Sequence, residues 1–542
     1  MDVLSIIKRF NSVKSERDSY WLKTWQQIRK YCMPEALDYN TEGAVAGGDI
    51  YDCTAVYARE RLASGMYSWM LDPAKKLIEL KAESSELNEF DDVQQFFAEL
   101  TRRVIEEIAN SNYTAPVLEM LNNCACGIDG VVFVEDVKGK VSFRSIPIED
   151  VCYLESAAGE VDTIFRELEL SSRQCVQFFD QESDRLPDYI KSEAANEKAD
   201  KKHRILQAVF PRIHKKSDPE SNKDFPFADY YIDLKTKTLI REGGFREFPF
   251  LVCRFVKLAK ERYGRGPGLK MLPDIKMVNR MRQAYILGLE RVTNPETLLP
   301  EGVLVDDEWN RDPGATHTYN PGMFGAKPEF MSYPIQLQFL AGDIQAERQM
   351  IKEGFFLDIF DPLGDLKNIS ATEATIRNDG KLVPFAPIVG NVHRDFLAPL
   401  VQRIVGIIVR RGEFPEVPQR ILDNDQNWNY KIEFVSKIAL AIKQLDAANW
   451  VRFEGIVQGV CQVHPETLDN LDADRMFRDL ARGQGIDPAW LKSEDDVKYL
   501  RQQREKMQMQ QRQLQNLSGI ASTLPALSNE IEPNSILSSL QG

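Results

Sequence analysis

The chain has 542 residues, 43% of them hydrophobic and 28% charged, with a formal net charge of −14. That length exceeds one ordinary core and predicts about three or four domains, and the composition excludes a disordered protein because enough apolar surface is available to fold. The acidic balance argues against a protein that wraps nucleic acid tightly, although an acidic surface is still compatible with DNA that must slide and not stick.

Lys8 and Arg9 cut the apolar run Val3 to Ile7, so no signal-peptide core is expected. The apolar run Ile404 to Val409 is flanked by arginines and falls far short of the roughly 18 residues a membrane helix needs. A soluble protein made in a cytoplasm, with no membrane partner, is expected. The eight cysteines are scattered singly apart from Cys124-Ala-Cys126, which argues against a disulfide framework. Cys124 and Cys126 lack the two-to-four-residue spacing and the second ligand pair of a structural zinc site, so they read as core thiols and no metal or cofactor is expected.

From the amino terminus, Ile7, Phe10, Trp21, Trp25, Ile28 and Tyr31 recur at mainly helical spacing, predicting an amphipathic helix or a broken pair over Leu4 to Tyr31. Helices are also predicted over Thr54 to Tyr67, with Thr54 as N-cap, and over Val93 to Ile108, with Phe96, Phe97, Leu100 and Val104 on one face. From Ile128 the period changes. β-Branched and aromatic runs at 131–134, 141–146 and 151–153 predict the start of a sheet, continued by 163–170, 204–210, 230–234 and 239–253. The first half is therefore expected to be α+β.

Arg262-Tyr-Gly-Arg-Gly-Pro-Gly268 is a concentrated turn signal before a helix predicted over Leu269 to Val292. A Pro/Gly-rich interval from Pro295 to Pro334 with short strand-like pieces follows, and then a second helix from about Ala341 to Phe360. Two helices thus bracket a small β-containing insertion. After a loop at 361–369, Ser370 and Glu373 form a capping-box pattern for a helix running toward Arg411. Gly380, Pro384, Pro387 and Pro399 require that helix to kink. A strand at 430–435 precedes helices at 438–461, 473–484 and 493–517, and the Ser/Pro/Asn-rich tail from Ser518 is expected to be loose. In the last helix the seam pairs Leu500, Met507 and Leu514 with Gln503, Gln510 and Leu517, too polar to predict a strong coiled coil.

Catalytic signatures do not emerge. There is no phosphate-cradling GxxxxGK[ST] loop, and Gly264, Gly266 and Gly268 lack the context of a dinucleotide fingerprint. No GxSxG elbow or HExxH pair occurs, Cys461 and His464 lack an orienting third group, and the acid runs 306–308 and 472–474 lack a calcium-loop pattern. An enzyme acting on DNA is disfavoured on these grounds; a capsid or tail structural protein without a channel is compatible with the composition.

Several dispersed segments occur in an order that resembles the head-to-tail connecting (portal) proteins of T7-like podoviruses. They are Ser12-Val-Lys-Ser-Glu-Arg-Asp-Ser-Tyr-Trp21, Arg59-Glu-Arg-Leu-Ala-Ser-Gly65, Ile146-Pro-Ile-Glu-Asp150, Tyr263-Gly-Arg-Gly-Pro-Gly268 with Leu272-Pro-Asp-Ile-Lys276, Ser370-Ala-Thr-Glu373 and Leu468-Asp-Asn-Leu-Asp472. The resemblance implies an α+β portal fold, mainly helical, assembled as a twelve-subunit ring. It would have a wing (1–260), stem helices (261–293 and 341–360) and a clip (294–340). A tunnel loop (361–369), a kinked wing helix with a return strand (370–435), a helical crown (436–517) and a flexible tail (518–542) would follow. It further implies a bacteriophage virion component at the portal vertex, assembled in the host cytoplasm, that serves viral genome packaging and ejection through a DNA channel and is not an enzyme. Its partners would be double-stranded DNA, the terminase large subunit, a tail adaptor protein, the major capsid and scaffolding proteins, and internal core or ejection proteins at the crown.

Within that plan Lys367, Asn368 and Asp365 are candidate DNA-tunnel residues. Lys276, Arg280, Glu347 and Glu353 are candidate stem residues, and Asp306, Asp307, Trp309 and Phe324 candidate clip-docking residues. The segment 262–291 carries seven cations against Asp274 and Glu290, whereas 343–361 carries Arg348 and Lys352 against five acids. The two stem helices are therefore electrically unlike, with the acidic one expected nearer the DNA. Ile275, Val278, Ile344 and Ile351 are expected to need neighbouring subunits to cover them.

Overall fold

A computed structural model describes residues 2–36, 49–75, 77–84, 86–179, 184–196, 198–212, 224–293, 297–298, 329–330, 337–360, 383–424, 429–435, 477–478 and 496–509. The segment expected to be a helix or a broken pair is one unbroken 30-residue helix, α1 (Val3–Cys32), about 45 Å long at 1.5 Å per residue. Its apolar positions serve two cores in turn. Ile6, Ile7, Phe10 and Val13 pack on a five-stranded sheet, and Trp25, Ile28 and Cys32 enter the main core.

Next come α2 (Thr54–Met66), β1 (Ile78–Ala82), α3 (Asp91–Ala109) and α4 (Thr114–Cys126). Thr54 is the first helical residue of α2 and not its cap; Asp52 Oδ1 accepts its backbone N–H at 2.9 Å. Helix α3 buries Val93, Phe96, Phe97, Leu100, Val104 and Ile108, with Asp91 and Asp92 in its first turn, where the helix dipole favours negative charge. Helix α4 was not anticipated. It carries the buried Cys124 and Cys126 and ends at Gly127, whose φ of 91° is the left-handed C-cap position that glycine adopts without strain.

Strands β2 (Gly130–Val137) and β3 (Lys140–Ile146) form a hairpin whose turn, Lys138-Gly139, has φ of 51° and 79°, as a two-residue hairpin turn requires. β4 (Val151–Glu155) and β5 (Val161–Ser171) open a second sheet. After β5 come α5 (Ser172–Phe178), started by a Ser171–Gln174 capping box, and α6 (Asp188–Ala194). The sheet continues with β6 (Lys202–Pro211), β7 (Phe227–Asp233) and β8 (Thr238–Phe245), an antiparallel meander in the order β4-β5-β6-β7-β8. Residues of α5 and α6 cover one face, through Cys175, Phe179 and Ile190 against Ile205, Tyr231 and Ile240, and the start of α1 covers the other. The run 239–253, read as continuous, breaks before Pro249. Its second part, β9 (Phe250–Cys253), joins a separate sheet of order β3-β2-β9.

A single turn, α7 (Pro267–Lys270), leads into α8 (Leu272–Thr293). β10 (Thr297–Leu298) pairs antiparallel with β11 (Glu329–Phe330), so a two-stranded contact closes the base of the insertion. Helix α9 (Leu337–Gly354) starts earlier than expected and breaks before α10 (Leu357–Phe360), where Phe356 has φ of 57°. Of the helix expected at 370–411, the described part begins at Val383. Helices Ala386–Val392 and Ala398–Arg411 carry Pro387 and Pro399 in their first turns and are joined by a π-helical turn, His393–Leu397. Proline at a helix start has no intrahelical N–H bond to lose, so both are accommodated there without forfeiting one. β12 (Tyr430–Phe434) pairs antiparallel with β1. The chain divides into a unit spanning 1–442 and a second spanning 443–542, the latter helical at 477–478 and 496–509. The Ser370–Glu373 cap and the helix at 438–461 lie outside the described residues, as do all but 477–478 of the one at 473–484; of the helix at 493–517, residues 496–509 are described and helical, while the seam residues Gln510, Leu514 and Leu517 lie outside.

Gly266 shows how closely these parts fit. A Cβ there would stand 2.2 Å from the Cys124 carbonyl oxygen and 2.7 Å from the Gly127 nitrogen, backbone atoms with no rotamer to yield. Gly266→Ala should destabilise the protein by about 2 kcal/mol or more, whereas Gly390→Ala, exposed in a helix with nothing within 4 Å, should gain about 0.5–1 kcal/mol. Melting temperatures of the two variants should move in opposite directions.

Candidate functional site

The turn that starts the helix pair is built around Tyr263. Its buried ring lies 5.5 Å from Trp21, 5.2 Å from Trp25 and 4.8 Å from Tyr153, centroid to centroid. The Arg265 guanidinium sits 5.4 Å from the Trp21 ring and pairs with Glu261 at 2.7 Å. Beneath the turn, the buried Asp129 carboxylate accepts from the Tyr153 hydroxyl at 2.6 Å and the Gly264 N–H at 3.0 Å. Burial pushes the Asp129 carboxyl up to about 7, against the opposing pull of those hydrogen bonds and of the Arg254 charge. Arg254, itself buried, is held between Asp395 at 2.8 Å and Glu155.

Buried arginines tie the other dispersed segments to this centre. Arg17 Nη1 donates to the carbonyls of Ile148, Glu149 and Val151 at 3.2, 2.7 and 2.9 Å. Arg29 grips Glu149 through two bonds of 2.6 and 3.0 Å, and Arg59 donates to the Cys32 carbonyl at 3.0 Å. The segments 12–21, 59–65, 146–150 and 263–276, far apart in sequence, therefore meet in one core region. Ser370–Glu373 and Leu468–Asp472 lie outside the described residues.

Helices α8 and α9 pack antiparallel, since Gly354 at the end of α9 lies against Met271 at the start of α8. Both are clamped to the strand of chain that precedes α2. Asn279 Oδ1 accepts from the Tyr51 N–H at 2.7 Å and its Nδ2 donates to the Asp49 carbonyl at 2.9 Å. Arg348 donates to Asp52 Oδ2 through Nε at 2.8 Å and Nη2 at 2.6 Å. Burial opposes the Asp52 charge, yet hydrogen bonds from Thr54 and Arg348 hold its carboxyl below the usual range. Neither Asn279 nor Arg348 was singled out from sequence. The available signal was a polar residue beside Val278 on the buried stripe of α8 and an acid two residues ahead of a helix start.

The four candidate residues on the helix pair do not form a cluster. Lys276 turns toward α1, donating to Gln27 Oε1 at 2.8 Å and lying 5.9 Å from the Tyr31 ring. Arg280 is exposed; Glu353 is exposed and accepts from Gln349 at 3.0 Å; Glu347 is half-buried, and its Oε2 has no hydrogen-bond partner among the described residues. Lys367, Asn368, Asp365, Asp306, Asp307, Trp309 and Phe324 lie outside the described residues. Ile275, Val278, Ile344 and Ile351, expected to await a neighbour, are buried within the chain itself. Among the described residues, the large apolar side chains left exposed on the pair are Met277, Leu287, Leu289 and Val292 of α8 and Phe339 and Met350 of α9.

The charge contrast is also redistributed. Arg262 and Arg265 lie before α8, where they pair with Glu16 and Glu261, so the helix itself is less basic than the segment. Arg348 is spent on Asp52, which leaves α9 with Asp343, Glu347 and Glu353 against Lys352 alone.

A family model described as bacteriophage head to tail connecting protein matches residues 4–491. The chain belongs to this family. It is 26% identical over 532 residues to the probable portal protein of Bordetella phage BPP-1, covering 96% of this chain and 94% of the relative. It is also 26% identical over 516 residues to the portal protein of Salmonella phage epsilon15, covering 92% and 91%. Among solved structures, a chain of the virion of a native gene transfer agent particle matches at 11% identity with a TM-score of 0.39, over 80% of this chain and 89% of that one. Membership of the head-to-tail connecting family and near full-length similarity to two phage portal proteins support a portal function. Members of this family are structural components of the virion. Among the described residues there is no group of three or more potential metal ligands, and no helix is long and apolar enough to cross a membrane.

In this connector the Asp129 carboxyl gives a pH signature at the base of the helix pair. The folded carboxyl keeps its proton up to about pH 7, whereas the unfolded one releases it near 3.8. The folded state therefore binds the extra proton between these values, and stability falls as pH rises through that window, by up to about 1.4 kcal/mol per pH unit, then levels off. Asp129→Asn cannot titrate. Compared with the variant, the parent should lose melting temperature between pH 5 and pH 7, and parallel curves would contradict the assignment.

Proposed function

We propose that the chain is the portal subunit of a short-tailed, T7-like double-stranded-DNA phage, and that twelve copies form a ring channel at one capsid vertex. DNA enters through it during packaging and leaves through it during ejection. The terminase large subunit docks first at the clip, a tail adaptor later, with the major capsid and scaffolding proteins around the rim and core or ejection proteins at the crown. Residues 1–260 would form most of the wing, α8 and α9 the stem, 294–340 the clip, 361–369 the tunnel loop, 370–435 the kinked wing helix and its return strand, and 436–517 the crown. Asp306, Asp307, Trp309 and Phe324 would be the clip's docking groups. The protein would supply geometry and electrostatics but no catalysis, and assembly would take place in the host cytoplasm.

The observation that carries this reading is the antiparallel pair α8–α9. It brackets an insertion closed at its base by β10 and β11, it is clamped by Asn279 and Arg348, and it leaves Leu287, Leu289, Val292 and Phe339 exposed. Apolar side chains left exposed by their own chain would suit burial against neighbouring subunits. Repeated around an axis, Asp343, Glu347 and Glu353 become rings of negative field that weaken phosphate binding and let DNA slide.

Purified protein should appear as rings in end-on electron micrographs, and the double variant Leu287→Glu/Phe339→Glu should shift it to monomers in mass photometry while keeping its helical circular dichroism. A non-channel structural protein of capsid or tail would give no closed ring in either case.

The segment 361–369 would join the stem to the wing helix, and Lys367 is the only cation in that stretch of sequence, with Asp361 and Asp365 beside it. Lys367 and Asn368 would touch phosphate transiently. Lys367→Ala/Asn368→Ala should leave assembly intact and lower packaging yield or DNA retention; particles that package and retain DNA like the parent would remove the loop from the mechanism.

A further inference from the structure

Helices α8 and α9 each carry a stripe of side chains that their own chain leaves uncovered. On α8 it runs through Pro273, Met277, Arg280, Ala284, Leu287 and Arg291, all exposed. Their intervals alternate between four and three residues, the spacing that holds positions on one face of a helix. On α9 it runs through Phe339, Gly342, Ala346, Met350 and Glu353, likewise exposed at intervals of three and four. The residues buried within the chain, Ile275 and Val278 of α8 and Ile344 and Ile351 of α9, fall on the opposite sides of the two helices. A face that met only water would be polar along its length. Here Leu287 is 51% and Phe339 71% exposed, and Ala284, Gly342 and Ala346 stand between the large side chains, where a neighbouring helix can come close. A Cβ at Gly342 would meet nothing within 4 Å, so that notch is open.

The two stripes are complementary in charge. That of α8 carries Arg280 and Arg291 and no acid, whereas that of α9 ends on Glu353, has Asp343 exposed beside it and holds no cation. Their levels match as well. Gly354 lies against Met271 at one end of the pair, and Thr297 pairs with Phe330 beyond the other, so the antiparallel register is held over its whole length. Counted from Met271 and Gly354, Leu287 stands level with Gln338 next to Phe339, and Ala284 with Ala341 next to Gly342. Met277 stands level with Arg348, two residues from Met350.

We propose that the α8 stripe of one copy is covered by the α9 stripe of the next, with Leu287 against Phe339, Ala284 against Gly342, Met277 against Met350 and Arg280 beside Asp343. This inference rests on the portal reading and names the faces that meet within it. Packing α8 on α8, or α9 on α9, is a two-fold contact that closes at a dimer and brings cation stripe to cation stripe or acid stripe to acid stripe. Packing α8 on α9 is head-to-tail, the kind of contact that repeats around a ring, and it sets opposite charges together. A ring that closes allows no net rise from copy to copy, so residues level within one chain stay level across the seam to within about one helical turn. The same two helices therefore use one side for their own core and the other for the neighbour.

The test is Leu287→Cys/Phe339→Cys in the full chain with the exposed Cys53 changed to serine. A short bismaleimide should convert this variant into a ladder of covalent oligomers on a denaturing gel, whereas either new cysteine alone should stay at monomer mass. Covalent dimers from one of them alone would reveal a like-with-like contact and overturn the seam. Rings seen end-on in the electron microscope while the double variant stays at monomer mass would also overturn it and leave the portal reading standing; the absence of rings would remove both. The unmodified chain supplies a check that needs no substitution. Hydroxyl radicals should oxidise Met277 and Met350 severalfold more slowly in assembled protein than in protein diluted to monomers, and equal rates would overturn the proposal.

Discussion

The seating of the glycine turn on the end of α4 is the contact on which the rest of this connector depends. Gly127 ends α4 with a left-handed residue, and Gly264, Gly266 and Gly268 then pass so close to residues 124–129 that a single methyl group would collide with backbone or with the Asp129 carboxylate. Helix α8 begins a few residues later. Its direction is therefore set by backbone touching backbone, a contact with no rotamers to relax, and not by side chains that could repack. The aromatic cluster of Trp21, Trp25, Tyr153 and Tyr263 holds the turn in that seat by burial.

Around this seat lies an unusual amount of buried charge. Arg17, Arg29, Arg59, Arg254 and Arg403 are each at most 5% exposed. Replacing such an ion pair by well-packed apolar residues often costs little, while removing one partner leaves a charge without compensation. These arginines are better understood as specifying which segments meet than as the source of stability. Arg17 is a clear case: it satisfies three carbonyls of the short turn at 148–151, so that turn can be buried against α1 without unpaired acceptors. Asp52 plays the same part for the helix pair, joining the start of α2 to Arg348 of α9 through one carboxylate.

The same economy shapes the electrostatics of the pair. Cations that looked in sequence like part of a basic helix, Arg262, Arg265 and Lys276, turn back to partners on α1 or in the turn itself, and Arg348 turns inward to Asp52. What α9 retains is mainly acid. In the ring proposed above, a wall of that sign would suit a polymer of phosphates that must move, because attraction strong enough to hold DNA would also arrest it.

Much of this was legible in the sequence. The change from helical to two-residue periodicity near Ile128, the turn signal at 262–268, the helices bracketing an insertion and the prolines at helix starts before Arg411 all follow from local rules. Backbone conformation and apolar spacing act over a few residues, and the order of the quoted segments carried the family resemblance. The sequence could not say that Pro249 divides the run 239–253 between two sheets, that Ile275, Val278, Ile344 and Ile351 are covered from within, or that Lys276 faces α1. Nor could it single out Asn279, Asp52 and Asp129. A polar residue's role depends on which distant donors burial leaves it to satisfy, and those donors are chosen only when segments more than a hundred residues apart are packed together. Local composition determined the elements, whereas tertiary packing decided their partners, because hydrogen-bond satisfaction in a dry interior is a property of the whole neighbourhood and of no single stretch of chain.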